Sequence, residues 1–401
     1  MTATVLVLNA GSSSVKYSLV DGETGAALAV GLAERVGDPS GAAGILTHTD
    51  AAGVKHRSEL PLPSHEAALQ AALDAFERHG PTLAEAGVVA VGHRVVHGGE
   101  RFSAPARVDD ALLAAVAELV PLAPLHNPAN LEVLAVATRL FADVPHAAVF
   151  DPAFHQTLPE HAYTYAVPHQ WREQHAIRRY GFHGTSHRFV SGETARLLGR
   201  PVEEVNTIVL HLGNGASASA VAGGRSIDTS MGMTPLEGLV MGTRSGDLDP
   251  ALHAHLHRQR GWSLEEIDAA LNRESGLRGL CGHSDFRELE RLLADGDPHA
   301  QLAMDVYCYR LRKYVGAYYA ALGRVDAITF TGGIGERGPL VRAQALAGLE
   351  RLGIVVDAEA NRTHSGAGFI SPPASEVAVL VVPTNEEWQI ARETLEVVRA
   401  G

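Results

Sequence analysis

Lysine is nearly missing from this chain: it stands only at positions 16, 55 and 313 of 401, and Arg supplies almost all of the positive charge. Lys16, at the end of a glycine–serine loop, is therefore a candidate for a specific anion contact. Cysteine is as scarce. Cys281 and Cys308 have no zinc-type or redox-type neighbour, so a disulfide framework is excluded in practice. Long apolar runs are also missing. Stretches such as 88–91 and 377–382 are far too short to cross a bilayer, and 1–8 lacks the basic start of a secretory leader. The expectation is a soluble, cytoplasmic protein. A formal charge of −13 argues against a general binder of nucleic acid or of a membrane surface, although a local basic cleft could still hold an anion. There are no low-complexity tracts.

Core material is ample, with 46% hydrophobic residues, and 401 residues exceed what one hydrophobic core usually serves. Two domains are expected. Two distant stretches support this, because each runs from a β-branched apolar segment into a loop of Asn, Gly, Ala and Ser: TVLVLNAGSSSVK at 4–16 and TIVLHLGNGASAS at 207–219. Superposing Asn9 on Asn214, 205 residues apart, brings Ser12 and Ser14 onto Ser217 and Ser219. Small residues after a strand let backbone approach a ligand closely, and successive free N–H groups there suit phosphate oxygens. The repeat suggests two related domains facing one nucleotide.

Periodicity places the other elements. Val15, Tyr17 and Leu19 alternate against Lys16 and Ser18 as in a half-buried strand, and 65–79 has helical spacing through Leu69, Leu73 and Phe76. Strands are expected at 88–96, 147–150, 327–331 and 377–382, and helices at 185–198, 263–272 and 305–322. Asn127 followed by Pro128 opens a further helix. Ser263 with Glu266, and Thr384 with Glu387, have capping-box spacing, while Ser284 is expected to cap the helix that carries Phe286 and Leu289. The second box would start a closing helix at 385–398 and leave Glu386 free for a hydrated magnesium ion. Residues 226–250 are glycine-rich and aperiodic, as functional loops often are.

Several residue groups can carry chemistry. Asn9, Ser12, Ser14 and Lys16 can form a phosphate cradle, or simply a hairpin turn with an exposed lysine. Gly333, Gly335 and Gly338 spell a literal GxGxxG between an apolar strand and a helical stretch, with Asp357 ending a predicted strand about twenty residues on. That pattern alone points to a dinucleotide enzyme, yet too little chain follows for a second half, and the same geometry can wall a mononucleotide. Of Arg94, Arg101, Arg244, Arg278 and Arg287, Arg244 lies in the tightest context, 242–249, where it can bind carboxylate or phosphoryl oxygens or else pair with Asp247 or Asp249. His253, His255 and His257 read as a solvated helix face, since only two share a face and no third ligand is in sight. His183 differs. Glycines flank it at 181 and 184 and a helix follows, which suits an imidazole aimed at an anion. Asp151 follows the strand at 147–150, where open α/β sheets place functional groups, or else it is an ordinary strand-end Asp.

Together these segments resemble the acetate kinase family over nearly the whole chain and in the family's order. Residues 9–16, 93–99 (HRVVHGG), 121–128 (PLAPLHNP), 179–187, 211–217, 227–250, 284–288, 330–336 and 383–387 carry the resemblance. It implies an α/β fold of two ribonuclease H-like, actin-like ATPase domains with mixed sheets and flanking helices, and an active site in the interdomain cleft. The N-terminal domain would be 1–151 plus 385–401, and the nucleotide-binding domain 152–384. The implied activity is reversible transfer of the ATP γ-phosphoryl group to acetate, with magnesium or alternatively manganese, by a homodimer. The matching positions make Arg94, Asp151, His183 and Arg244 catalytic, with Arg94 also holding substrate, and Val96, Leu125, Phe182 and Pro235 a pocket for the acetate methyl. His126 would be a supporting group. Lys16, His211, Leu212, Gly213, Asn214, Gly215, Asp285, Phe286, Arg287, Gly333, Ile334, Gly335, Glu336 and Arg337 would meet ATP or ADP, and Asn9 and Glu386 the metal.

The family gives Asp151 a proton-transfer role. Acetate is already ionised near neutral pH, however, so orientation of Arg or of metal-bound water is the physically preferred role. Two positions depart from the family pattern: Arg337 stands where Asn is common, and Pro152 where Thr is common. A propionate or butyrate kinase would use the same machinery, and an actin-like or chaperone ATPase would share the fold without a small-molecule acceptor.

Overall fold

The computed structural model describes residues 3–124 and 126–400. The chain forms two compact units, Met1–Ala153 with Asn385–Gly401, and Phe154–Thr384. Among the described residues no helix is long and apolar enough to cross a membrane.

The first unit is built on eight strands: β1 (Thr4–Gly11), β2 (Ser14–Asp21), β3 (Ala27–Glu34), β4 (Gly44–Thr49), β5 (Lys55–Leu60), β6 (Val88–Val95), β7 (Ala106–Arg107) and β8 (His146–Phe150). They lie in the order β5-β4-β3-β2-β1-β6-β8-β7, with β1, β6 and β8 parallel. Because β1 is central, both its faces are buried, and its alternation sorts side chains between two cores. Leu6, Leu8 and Ala10 join the core under helices His65–His79 and Asn127–Leu140; Val5 and Val7 join Val149, Ile390, Ala391 and Leu395 under the closing helix, Glu386–Ala400. Gly92 on β6 lets that helix sit close. A side chain there would collide with Thr394 and come within 3.0 Å of Ile390.

The second unit has β9 (Asn206–Leu212), β10 (Ala216–Ala222), β11 (Arg225–Thr229), β12 (Ala327–Thr331), β13 (Gly368–Phe369) and β14 (Ala378–Val381), in the order β11-β10-β9-β12-β14-β13. Five strands of the first sheet, β3-β2-β1-β6-β8, repeat here as β11-β10-β9-β12-β14, with the same antiparallel triplet and the same parallel extension. The internal duplication suggested by the two related stretches is thus a duplication of topology. It is not kept residue for residue. Asn9 lies within β1 opposite Lys16 and Arg94, whereas Asn214 lies in the turn after β9, and the residue at the last parallel pairing of β9 is His211, opposite Thr331.

Three local readings need correction. The closing helix is capped by Asn385, whose Oδ1 accepts from Trp388 N at 3.0 Å; Thr384 instead bonds Ser186, so Thr384 and Glu387 form no capping box. The helix Phe286–Ala294 is capped by Asp285 rather than Ser284. Asp357 does not end a strand. It caps the short helix Ala358–Thr363 through Ala360 N at 2.7 Å, which removes the acidic residue of the dinucleotide pattern. The box of Ser263 and Glu266 is present in full.

Candidate active site

In the first unit, strand register gathers the polar candidates. Asn9 lies between Lys16 on β2 and Arg94 on β6 in one row across three strands, on the face shared by Val5 and Val7. Asp151 comes two residues after Val149 on the same face of β8. The closing helix covers that face and begins there, bringing Glu386 and Glu387 to the carboxyl ends of the parallel strands, the usual place for function in such sheets.

Arg94 and Asp151 form a bidentate pair, Nε to Oδ1 at 2.8 Å and Nη2 to Oδ2 at 2.7 Å, and Arg94 Nη1 reaches Asn9 Oδ1 at 3.4 Å. The Asp151 side chain is 3% exposed and that of Arg94 21%. Asp151 is therefore the anchor of a cation and not an ordinary strand-end residue. Burial works against the charged guanidinium, but the charge and hydrogen bonds of Asp151 hold its pKa above the ordinary value. Glu386 is raised above the usual carboxylate range by burial, with Arg94 pulling the other way. Lys16 is ion-paired with Glu387, which explains why Glu387 does not cap its helix. Asn130, unmarked by sequence reasoning, ties the strand ends together: its Oδ1 accepts from Val96 N at 3.0 Å and its Nδ2 donates to Ala10 O at 2.9 Å. His126 stands at the N-cap of helix Asn127–Leu140. Leu125 lies outside the described residues.

The second unit collects a different set. His183 occupies the N-cap of helix Gly184–Leu197 with φ 55°, a left-handed conformation that a non-glycine residue rarely adopts and that is found at functional positions. Its neighbours hold it there. His155 Nε2 donates to Phe182 O at 3.0 Å, and the Tyr180 and Gly181 N–H groups both donate to Gly232 O. Phe182 is 3% exposed. The His183 ring stacks on that of His211 at 4.4 Å, and His211 Nδ1 meets Ser186 Oγ at 2.8 Å. Arg179 fastens the glycine-rich segment, donating to the carbonyls of Thr229, Ser230 and Met231 and to Glu237.

Arg244 comes to the same place. A Cβ on Gly215 would lie 3.4 Å from Arg244 Nη1 and 3.6 Å from His183 Nε2, so these two side chains converge on one glycine. Neither Asp247 nor Asp249 pairs with Arg244. Asp247 accepts from Gly238 N and Tyr314 and pairs with Arg310, while Asp249 accepts from Ala251 N. Arg244 Nη1 donates only to Pro235 O at 3.3 Å and, weakly, to Met241 Sδ, and no carboxylate neutralises it among the described residues. Burial lowers its pKa. A half-buried cation held without a counter-charge is what an anion site needs before its ligand arrives.

A cavity of about 420 Å³ in this unit is lined by Gly213, Asn214, Ser284 to Arg287, Glu290, Gly333, Ile334, Arg337 and Gly338, a volume within the usual range for small-molecule sites. Most of the nucleotide candidates are on its wall. His211 and Leu212 are not, since His211 belongs to the histidine cluster and Leu212 is fully buried; Gly215, Gly335 and Glu336 do not line it either. Arg287 is paired with Asp285 at 2.6 Å, whereas Arg337 has no ion-pair partner among the described residues. Arg101 pairs with Glu118, and Arg278 lies on helix Gly276–Cys281. His253, His255 and His257 lie on the helix Ala251–Arg260, two of them bonded to the carbonyls of Pro250 and Trp262.

With known proteins the agreement spans the chain. Residues 4–392 match the model of the acetokinase family. An acetate kinase from Clavibacter michiganensis subsp. michiganensis is 58% identical over 392 residues, 98% of each chain. Among solved structures, acetate kinase from Porphyromonas gingivalis superposes with a TM-score of 0.94 at 44% identity, covering 99% of this chain and all of its own. A propionate kinase from Francisella tularensis subsp. tularensis superposes with a TM-score of 0.91 at 41% identity, over 98% of this chain and all of its own.

Proposed function

Since the chain belongs to the acetokinase family, we propose that it transfers the γ-phosphoryl group of ATP to acetate, reversibly, giving acetyl phosphate and ADP. The observation that carries this is the Arg244 guanidinium beside His183, unneutralised by any carboxylate among the described residues. Phosphoryl transfer leaves a protein chiefly positioning and charge stabilisation to do, and cations kept free of internal partners serve that end.

In this scheme Arg94, oriented by Asp151, binds the acetate carboxylate. A carboxylate oxygen attacks the γ-phosphorus in line, the bond to the β,γ-bridging oxygen breaks, and ADP leaves with the electron pair. No proton has to move, because acetate is ionised near neutral pH. Arg244 and His183 stabilise charge on the equatorial oxygens, while the cavity lined by Asn214, Asp285 to Arg287, Gly333, Ile334 and Arg337 takes the nucleotide. Lys16, on the β1–β2 hairpin and paired with Glu387, is the candidate in this scheme for a contact to the nucleotide phosphates.

A magnesium ion suits the residues present. It takes oxygen ligands, keeps several waters and uses only one or two carboxylates together with substrate phosphates. Glu386 offers a carboxylate with no hydrogen-bond donor on it among the described residues, and Asn9 offers an amide oxygen beside Arg94. These two would hold the ion, which when bound offsets phosphate charge. Pro152, where the family commonly has Thr, removes a hydroxyl beside Asp151 and leaves the Arg94–Asp151 pair intact.

Trapping acetyl phosphate with hydroxylamine tests the proposal. Hydroxamate should form from ATP only when acetate and magnesium are present, and ATP turnover at the same rate without acetate would replace it with a plain ATPase. The likeness to a propionate kinase supports a second reading, in which propionate is the preferred acceptor. One methylene in a pocket is worth only about 1–3 kcal/mol, so kcat/KM for acetate, propionate and butyrate decides between them.

A further inference from the structure

We propose that Ser217 and His187 are positioning residues that hold His183 in the tautomer with its proton on Nε2. The Ser217 hydroxyl on β10 lies between two imidazoles, 3.0 Å from His183 Nδ1 and 2.7 Å from His187 Nε2. His187 is one helical turn beyond His183, so both rings face the same strand. Ser217 and His187 are fully buried, and His187 Nδ1 has no hydrogen-bond partner among the described residues.

One hydroxyl carries one proton, so the two contacts are not independent. In the first arrangement His187 Nε2–H donates to Ser217 Oγ and Ser217 O–H donates to His183 Nδ1, which leaves the His183 proton on Nε2. In the second, His183 Nδ1–H donates to Ser217, Ser217 donates to His187 Nε2, and the His187 proton moves to Nδ1. That second arrangement buries an N–H with no acceptor, at the full desolvation cost of a donor, whereas the first leaves only a lone pair unmet. A third arrangement, with His187 protonated on both nitrogens, is opposed because burial pushes its pKa well below the ordinary histidine value. A fourth, in which both rings donate to the two lone pairs of Ser217 Oγ, buries the hydroxyl proton with no acceptor among the described residues. The first arrangement is left, and it presents an N–H donor next to the Arg244 cation.

The tautomer itself does not depend on the phosphotransferase reading; only the use made of the Nε2–H does. The test therefore has two arms. Two-bond 1H–15N spectra of the 15N-histidine-labelled enzyme at pH 7.5, with His183 assigned by His183→Asn, should show its proton on Nε2. Ser217→Ala should mix the tautomers, and His187→Gln, whose amide N–H can serve the same hydroxyl, should preserve the wild-type pattern where His187→Leu does not. In the kinetic arm, Ser217→Ala should lower kcat about tenfold or more while moving KM for ATP less than about twofold. Added to His183→Asn it should cost nothing further. A wild-type His183 protonated on Nδ1 overturns the proposal without reference to any variant, and so does a Ser217→Ala effect that adds in full to that of His183→Asn. If the tautomer is as stated but no acetyl phosphate forms, the reaction is at fault and the positioning stands.

Discussion

Replacing Asp151 by Asn separates orientation from proton transfer. The side chain keeps its shape, but it loses its charge and turns one of the two acceptors facing Arg94 into an amide donor opposed to a guanidinium N–H. The lost bond is charge-assisted, worth about 1.5–3 kcal/mol, or roughly ten- to 150-fold at about 1.4 kcal/mol per decade. If Asp151 acts through Arg94, that loss appears in kcat/KM for acetate, KM for ATP is nearly unchanged, and the pH profile gains no new acid limb. Combining Asp151→Asn with Arg94→Lys should be markedly less than additive, because the bidentate pair is already gone. Initial rates by hydroxamate formation over acetate concentration and pH give all of these quantities, with thermal melting as a control for the buried cation left behind. An effect confined to kcat, with an ionisation that vanishes in the variant, would restore a proton-transfer role. A change of less than threefold in kcat/KM would remove Asp151 from the mechanism.

Three further outcomes are expected. Arg244→Ala should reduce kcat by about a hundredfold or more, as removal of comparable anion-stabilising donors does, and ADP affinity by calorimetry should hold within a few-fold; an unchanged kcat would take Arg244 out of the reaction. Gly92→Ala should destabilise the protein by about 1–3 kcal/mol in urea unfolding, since the new methyl meets Thr394 and Ile390 and lifts the closing helix that carries Glu386; a neutral result would mean that the helix is not seated as described. His93 is buried with Nε2 at 2.9 Å from His146 Nδ1, and burial holds its pKa well below 6.5 in the folded chain. Only the unfolded chain then takes up that proton as the pH falls through about 6.5, so stability is present above that pH and lost below it. His93→Gln should flatten the slope between pH 7 and 5 by at most about 1.4 kcal/mol per unit, and an unaltered slope would mean that His93 is protonated in the native state.

Where a candidate group sits at the end of a strand, local pattern was enough to place it there. Val5, Val7 and Asn9 show why: the alternation that buries the valines under one helix puts the next polar residue on the same face, at the carboxyl end of a parallel strand. Arg94 and Asp151 follow from the same rule on β6 and β8. What local pattern could not supply was the partner. Thr384 with Glu387 and Asn385 with Trp388 are both sound cap spacings, and the choice falls to Asn385 because Glu387 is drawn to Lys16, a residue 371 positions away. Arg244 had two acidic neighbours in sequence: Asp247 was taken by groups from other segments, Tyr314 and Arg310 among them, and Asp249 by the backbone N–H of Ala251, two residues on.

The same division explains why Ser217 and His187 were visible as residues but not as a unit. Ser217 belongs to a sequence repeat, and His187 is spaced one turn from His183, yet the hydroxyl meets both rings only because β10 packs against the helix that carries them. A residue that touches substrate must stand where backbone and strand end allow, and that leaves a mark in neighbouring sequence. A residue that fixes a proton on another residue has only to reach it in space. If so, substitutions at positions such as Ser217 and Asn130 should change kcat far more than their unremarkable local sequence suggests, and variants chosen by buried polar contact should uncover them sooner than variants chosen by motif.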